Sequence, residues 1–167
     1  NRVLRSLNGM SPSELLSRLD TLCEREPAPR PPDPVRRHQL ALYLERRWHH
    51  LQWKPECTTE ADPARRLDVA LLQQRVLGPW FGIDDPRTSR DIQFVGGIRG
   101  TGELERLVDG GEFACAFALY PTGIEELMEI ADGDGIMPPK STWFEPKLRD
   151  AMFCHLLSPF QQREISG

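Results

Sequence analysis

The chain has 167 residues, 39% hydrophobic and 28% charged, with a formal net charge of −4. A chain of that length buries about 70% of its unfolded surface, so a core needs no disulfide or metal staple. The acidic balance argues against a nonspecific nucleic-acid binder, which wants a basic face, and no apolar run approaches the roughly 20 residues that cross a bilayer.

The sequence opens Asn1-Arg2-Val3-Leu4, without Met, and Val3-Leu4 reads as the tail of an apolar element. A fragment of a longer, cytoplasmic protein is expected. Ser11, Pro12 and Glu14 set out a capping box with proline in the first helical position. Leu15, Leu16, Leu19 and Leu22 follow at helical spacing and predict a helix from Ser11 to about Cys23. Five prolines between Glu26 and Pro34 exclude helix and central strand and predict an extended, mobile connector. Residues 1–35 thus read as a helix and connector ahead of an α+β domain spanning 36–167. Leu40, Leu42 and Leu44 alternate with smaller or polar-tipped neighbours, and Trp48 to Trp53 form the return strand of a hairpin turning at Glu45-Arg46-Arg47. His49 and His50 are adjacent, so on a strand they point to opposite faces and cannot share a metal.

Asp62-Pro63 opens a helix whose buried stripe is Leu67, Leu71, Leu72 and Val76, with Leu77 beside it. Gly78-Pro79 is expected to stop it. Asp68, inside that helix, reads either as a solvated residue or as a carboxylate reaching an arginine. Asp84-Asp85-Pro86-Arg87-Thr88 is turn chemistry. A short strand over Asp91 to Val95 runs into Gly96-Gly97-Ile98-Arg99-Gly100 and a helix to about Val108, capped by Thr101. That order can leave backbone N–H groups free for an anion. It is neither a Walker loop nor a dinucleotide fingerprint, because the closing Lys-Ser/Thr and the glycine spacing are missing. Glu112 to Tyr120 is apolar on both faces, as a central strand is. Thr122 and Glu125 make a second capping box ahead of an apolar helical face formed by Ile124, Leu127, Met128 and Ala131. Ala151 to Leu157 reads as a final strand.

The densest chemistry lies in Gly135 to Leu148. Three prolines restrict its backbone, Trp143 and Phe144 can anchor it, and Lys140, Ser141, Thr142, Glu145 and Lys147 offer donors and both signs of charge. It reads equally as a rigid anion-binding loop or as a stiff connector. The four cysteines, Cys23, Cys57, Cys115 and Cys154, form no close pair, so zinc and redox spacings are absent and a reducing compartment is expected.

Several of these stretches together resemble the C-terminal part of a large bacterial family catalogued as domain of unknown function 1015. They are Asp84 to Thr88, Phe94-Val95-Gly96-Gly97-Ile98-Arg99-Gly100, Phe117-Ala118-Leu119-Tyr120-Pro121-Thr122 and Ile136 to Arg149, with Ala64 to Val69 and Asn1 to Leu4 in support. Gln93 departs from the pattern where an acid is expected, and Asp150-Ala151-Met152 replaces a smaller, glycine-containing run. The resemblance implies a missing N-terminal half with an Asp-Gly-His-His-Arg stretch, similar to the ParB/sulfiredoxin-like fold. Some proteins of that fold bind nucleotides and some phosphorylate free serine.

The expected architecture is an α+β domain with a mixed or antiparallel sheet of about five strands and three to four helices. The expected site is half of one for a phosphorylated small molecule or nucleotide, with ATP or ADP and magnesium as candidate cofactors. Arg87, Arg99, Lys140, Ser141, Thr142 and Lys147 are the candidate anion ligands, and Glu145 the candidate acid–base group or magnesium ligand. A non-catalytic structural or homodimerising half is the alternative. Association with DNA through kinship with ParB-type proteins is weaker, because no basic recognition helix is visible.

Overall fold

The structure is a computed structural model, and it describes residues 1–32 and 34–142. Its frame is one six-stranded sheet in the order β2-β4-β3-β6-β1-β5, with every pairing antiparallel. The strands are β1 (Arg2–Leu4), β2 (Cys23–Ala28), β3 (Gln39–Leu44), β4 (Arg47–Trp53), β5 (Ile92–Phe94) and β6 (Cys115–Leu119). The fold is α+β, as the element pattern predicts. Residues 1–35, expected as a helix and connector, supply β1, α1 (Pro12–Leu22) and β2, and the sheet runs continuously across that boundary. The predicted final strand, Ala151 to Leu157, lies outside the described residues.

The period-two alternation of the strands divides the core. Leu4, Leu40, Leu42, Leu44, Leu51, Cys115 and Phe117 face one side, where Leu15 and Leu19 of α1 and the helical segment over 68–81 cover them. Val3, Ala41, Tyr43, Trp48, Ala116 and Ala118 face the other, where Leu104 and Leu107 of a helix over 100–109 pack. Ser11 caps α1, with Glu14 N–H donating to its Oγ at 3.2 Å. The β3–β4 hairpin turns through Glu45 and Arg46, both left-handed at φ +48° and +60°, the mirror-image turn that matches strand twist. Pro27 sits in β2, and β2 is an edge strand, the place where a missing N–H costs no ladder bond.

Four local expectations need correction. The helix after Asp62 is not continuous: α2 (Pro63–Arg66) breaks at Leu67, whose ψ is 142°, and α3 (Asp68–Leu72) starts afresh. Nor does Gly78-Pro79 end it. Gln73–Leu77 widens to a π turn in which Gly78 N–H donates to Gln73 O, five residues back, and α4 (Gly78–Phe81) continues to Gly82. The wide turn makes room for a proline ring that would otherwise press on the carbonyl four residues before it. Thr101 is not a cap but lies inside α5 (Gly100–Asp109). In α6 (Ile124–Asp132) the cap is Gly123, whose N–H donates to Glu126 Oε2 at 2.8 Å, one residue later than expected. That shift turns Ile130 inward onto Leu67 and Ala70 and leaves Ile124 and Met128 exposed.

Asp68 is neither solvated nor paired with arginine. It is buried, accepts the His38 backbone N–H at 2.9 Å, and lies 3.3 Å from His38 Nδ1. It thereby holds His38 in the left-handed region at φ +68°. Among the described residues no helix is long and apolar enough to cross a membrane.

Candidate functional site

At the β1–β5 end of the sheet lies a cleft of about 880 Å³. Its floor and walls include Arg2 on β1, the turn at Pro86 and Arg87, Ile92 to Ile98 on β5 and the turn after it, Leu119 to Ile124 at and after the end of β6, and Lys140 to Thr142. Arg2 is the unexpected member. It is 6% exposed, and no carboxylate pairs with it among the described residues. Its Nη1 donates to Asn1 O and its Nη2 to Lys140 O, both at 3.1 Å, and its guanidinium carbon lies 4.4 Å from the centre of the Phe94 ring. Burial lowers its pKa to about 10, so the protonated form is disfavoured by its surroundings and still persists at neutral pH.

The sequence-predicted residues divide. Lys140, Ser141 and Thr142 line the cleft, as do Gly96 and Gly97. Lys140 is exposed and left-handed at φ +57°. The Ser141 hydroxyl already donates to Pro138 O at 2.7 Å, and Ser141 O accepts from Thr122 Oγ1 at 3.0 Å, so Ser141 has an acceptor to offer but not its proton. Arg87 also lines the cleft, yet it holds Asp85 of its own turn in a two-pronged pair at 2.8 and 3.0 Å. That guanidinium pulls the Asp85 carboxyl below its ordinary range. Arg99 is not in the cleft. It is exposed and 3.7 Å from Glu103, which Arg106 also holds. Glu145 and Lys147 lie outside the described residues.

No carboxylate lines the cleft among the described residues, and none of their His, Cys, Asp and Glu side chains group to hold a metal ion. A magnesium–nucleotide complex needs one or two carboxylates beside its phosphates. The described lining offers that ion no carboxylate, and Glu145, the candidate magnesium ligand, lies outside the described residues.

No protein-family model, curated protein or solved structure matches this sequence. What the cleft can do therefore follows from its own groups: the buried Arg2, the exposed Lys140, Arg87 already held by Asp85, a hydroxyl on Thr142, and apolar walls from Ile92, Phe94, Val95, Leu119 and Ile124. Sequence reasoning missed Arg2. A single arginine before Val3-Leu4 carries no spacing signal, and only the pairing of β1 between β5 and β6 buries it.

Proposed function

We propose that the cleft binds a phosphorylated small molecule, with Arg2 and Lys140 as the cationic groups and Thr142 as a donor. The observation that carries this reading is Arg2, a buried guanidinium with no carboxylate partner among the described residues, lining an open cleft. Buried charges are normally paired, and a planar guanidinium suits the two-pronged recognition of phosphate. Lys140 adds a point charge from the rim. Positioning and charge stabilisation are what phosphoryl chemistry asks of a protein. On the resemblance to the domain of unknown function 1015 family, the chain contributes half a site. An upstream ParB/sulfiredoxin-like part then supplies the remaining groups, including any carboxylates for magnesium.

A structural or dimerising half is the second reading. It is favoured by Arg87 and Arg99, whose charges are spent on Asp85 and Glu103 rather than offered to a ligand. Isothermal titration of phosphoserine, ADP and ATP into the chain separates the two. The phosphate reading expects saturable binding, weakened about tenfold or more by Lys140→Ala, since a charge-assisted contact is worth about 1.5–3 kcal/mol. Absence of binding for all three ligands leaves the structural reading standing.

A further inference from the structure

We propose that the ligand of this cleft is a phosphopeptide, an extended segment that adds to the open edge of β5 and lays a phosphoserine or phosphothreonine phosphate on Arg2. The inference rests on the phosphate reading above and names its ligand class.

Among the described residues β5 is the outer strand of the sheet, paired only with β1. Arg5 N–H donates to Asp91 O at 2.9 Å and Val95 N–H donates to Asn1 O at 3.2 Å. Alternation along an antiparallel ladder then points the backbone N–H and C=O of Ile92 and Phe94 away from β1. No hydrogen bond to those groups is made by the described residues. Ile92, Gln93, Phe94 and Val95 all line the cleft, so this row of groups, unpaired among the described residues, borders it. An unpaired edge is a template for another strand, and an extended peptide uses it through main-chain bonds while side-chain pockets read its sequence.

The position of Arg2 selects which peptide. Arg2 lies opposite Phe94 across the ladder, and its guanidinium carbon lies 4.4 Å from the centre of the Phe94 ring. An added strand would lie about 4.8 Å beyond β5. The residue opposite Phe94 on that strand shares the Arg2 face of the sheet, the face on which the guanidinium stacks on Phe94. Lys140, whose carbonyl accepts from Arg2 Nη2, is a second cationic residue lining the same cleft. The charge complement is an acidic side chain. The described lining carries no carboxylate to repel it, and a phosphate brings about two negative charges to the two cations.

The same ladder makes the proposal testable at single atoms. In an antiparallel addition, the arrangement of every pairing in this sheet, the residue opposite Phe94 exchanges both of its backbone hydrogen bonds with it, whereas its immediate neighbours point away. The experiment titrates the full chain with a blocked pentapeptide carrying central phosphoserine and valine neighbours. Two companions are the same peptide N-methylated at the phosphoserine or at the residue after it. Free phosphoserine is the reference. The expected result is binding at least tenfold tighter than phosphoserine. N-methylation at the phosphoserine abolishes that gain, and N-methylation one residue later leaves it intact. Equal binding of the peptide and phosphoserine, or equal losses from both methylations, overturns the added strand while the phosphate site stands. Failure of phosphoserine and peptide alike removes both.

Discussion

Asp68→Ala tests the loop that joins the proline-rich segment to the sheet. Asp68 is 8% exposed and accepts the His38 backbone N–H at 2.9 Å. A hydrogen bond to a charged group contributes about 1.5–3 kcal/mol net, and a buried N–H left without an acceptor costs a similar amount. His38 sits at φ +68°, where a non-glycine residue carries roughly 1 kcal/mol of strain that the carboxylate holds in place. Asp68→Ala is therefore expected to cost about 3 kcal/mol, and Asp68→Asn, which keeps an acceptor, about 1 kcal/mol. Adding His38→Gly to Asp68→Ala should return about 1 kcal/mol, because glycine adopts that backbone without strain. Urea unfolding with a constant m-value reads all three. A loss below about 0.5 kcal/mol for Asp68→Ala, the range of an ordinary surface change, would refute the account of this loop.

Arg2→Met is expected to leave stability within about 1 kcal/mol of the native chain, or to raise it. The fall of the Arg2 pKa to about 10 represents about 3 kcal/mol of burial cost. Two hydrogen bonds and the Phe94 contact offset that cost, and a loss above about 2 kcal/mol on unfolding would contradict the balance. Because the folded pKa lies below the unfolded one, the cost is present throughout the neutral range and eases only as pH rises beyond 10. Tyr43 behaves in the opposite sense: burial and then the hydrogen bond to Asp109 raise its phenol to about 12, so the folded state holds the proton. Stability should fall as pH climbs from 10 towards 12, and Tyr43→Phe should flatten that slope in urea midpoints taken across the range. Gly82, left-handed at φ +66° where α4 ends, should cost about 1 kcal/mol as Ala. Gly97, with nothing within 4 Å of an added Cβ and no positive φ, should cost less than about 0.5 kcal/mol while narrowing the cleft, and thermal melts compare the two.

Much of the frame was legible because it is written in local patterns. The capping box at Ser11, the alternation of Leu40, Leu42 and Leu44, and the two-sided apolar run Glu112 to Tyr120 each predict an element on their own, and each is there, the last as the shorter strand Cys115–Leu119. What was hidden depends on partners distant in sequence. Leu67 reads as one more position in a helical stripe, and the contacts at the break there, Asp68 with His38 and Leu67 with Ile130, are to residues far away in the sequence. Proline at position 79 reads as a stop, yet a π turn just before it lets the helix pass. The α6 face was misread by one position because Gly123, not Thr122, begins the helix, and Thr122 is engaged with Ser141. At the site, Lys140, Ser141 and Thr142 were visible as charged and hydroxyl residues in a proline-shaped stretch. Arg2 was not, since its burial is a property of the sheet and not of its neighbours in the chain.

The central claim is that an anion seats on the buried Arg2 guanidinium. The most direct measurement follows the Arg2 side-chain Nε–H signal by NMR, assigned through Arg2→Met, while inorganic phosphate and then phosphoserine are added. The account predicts a saturable shift of that signal, with Arg99, outside the cleft, unmoved. A signal that stays in place at phosphate concentrations that move Arg99 would contradict it.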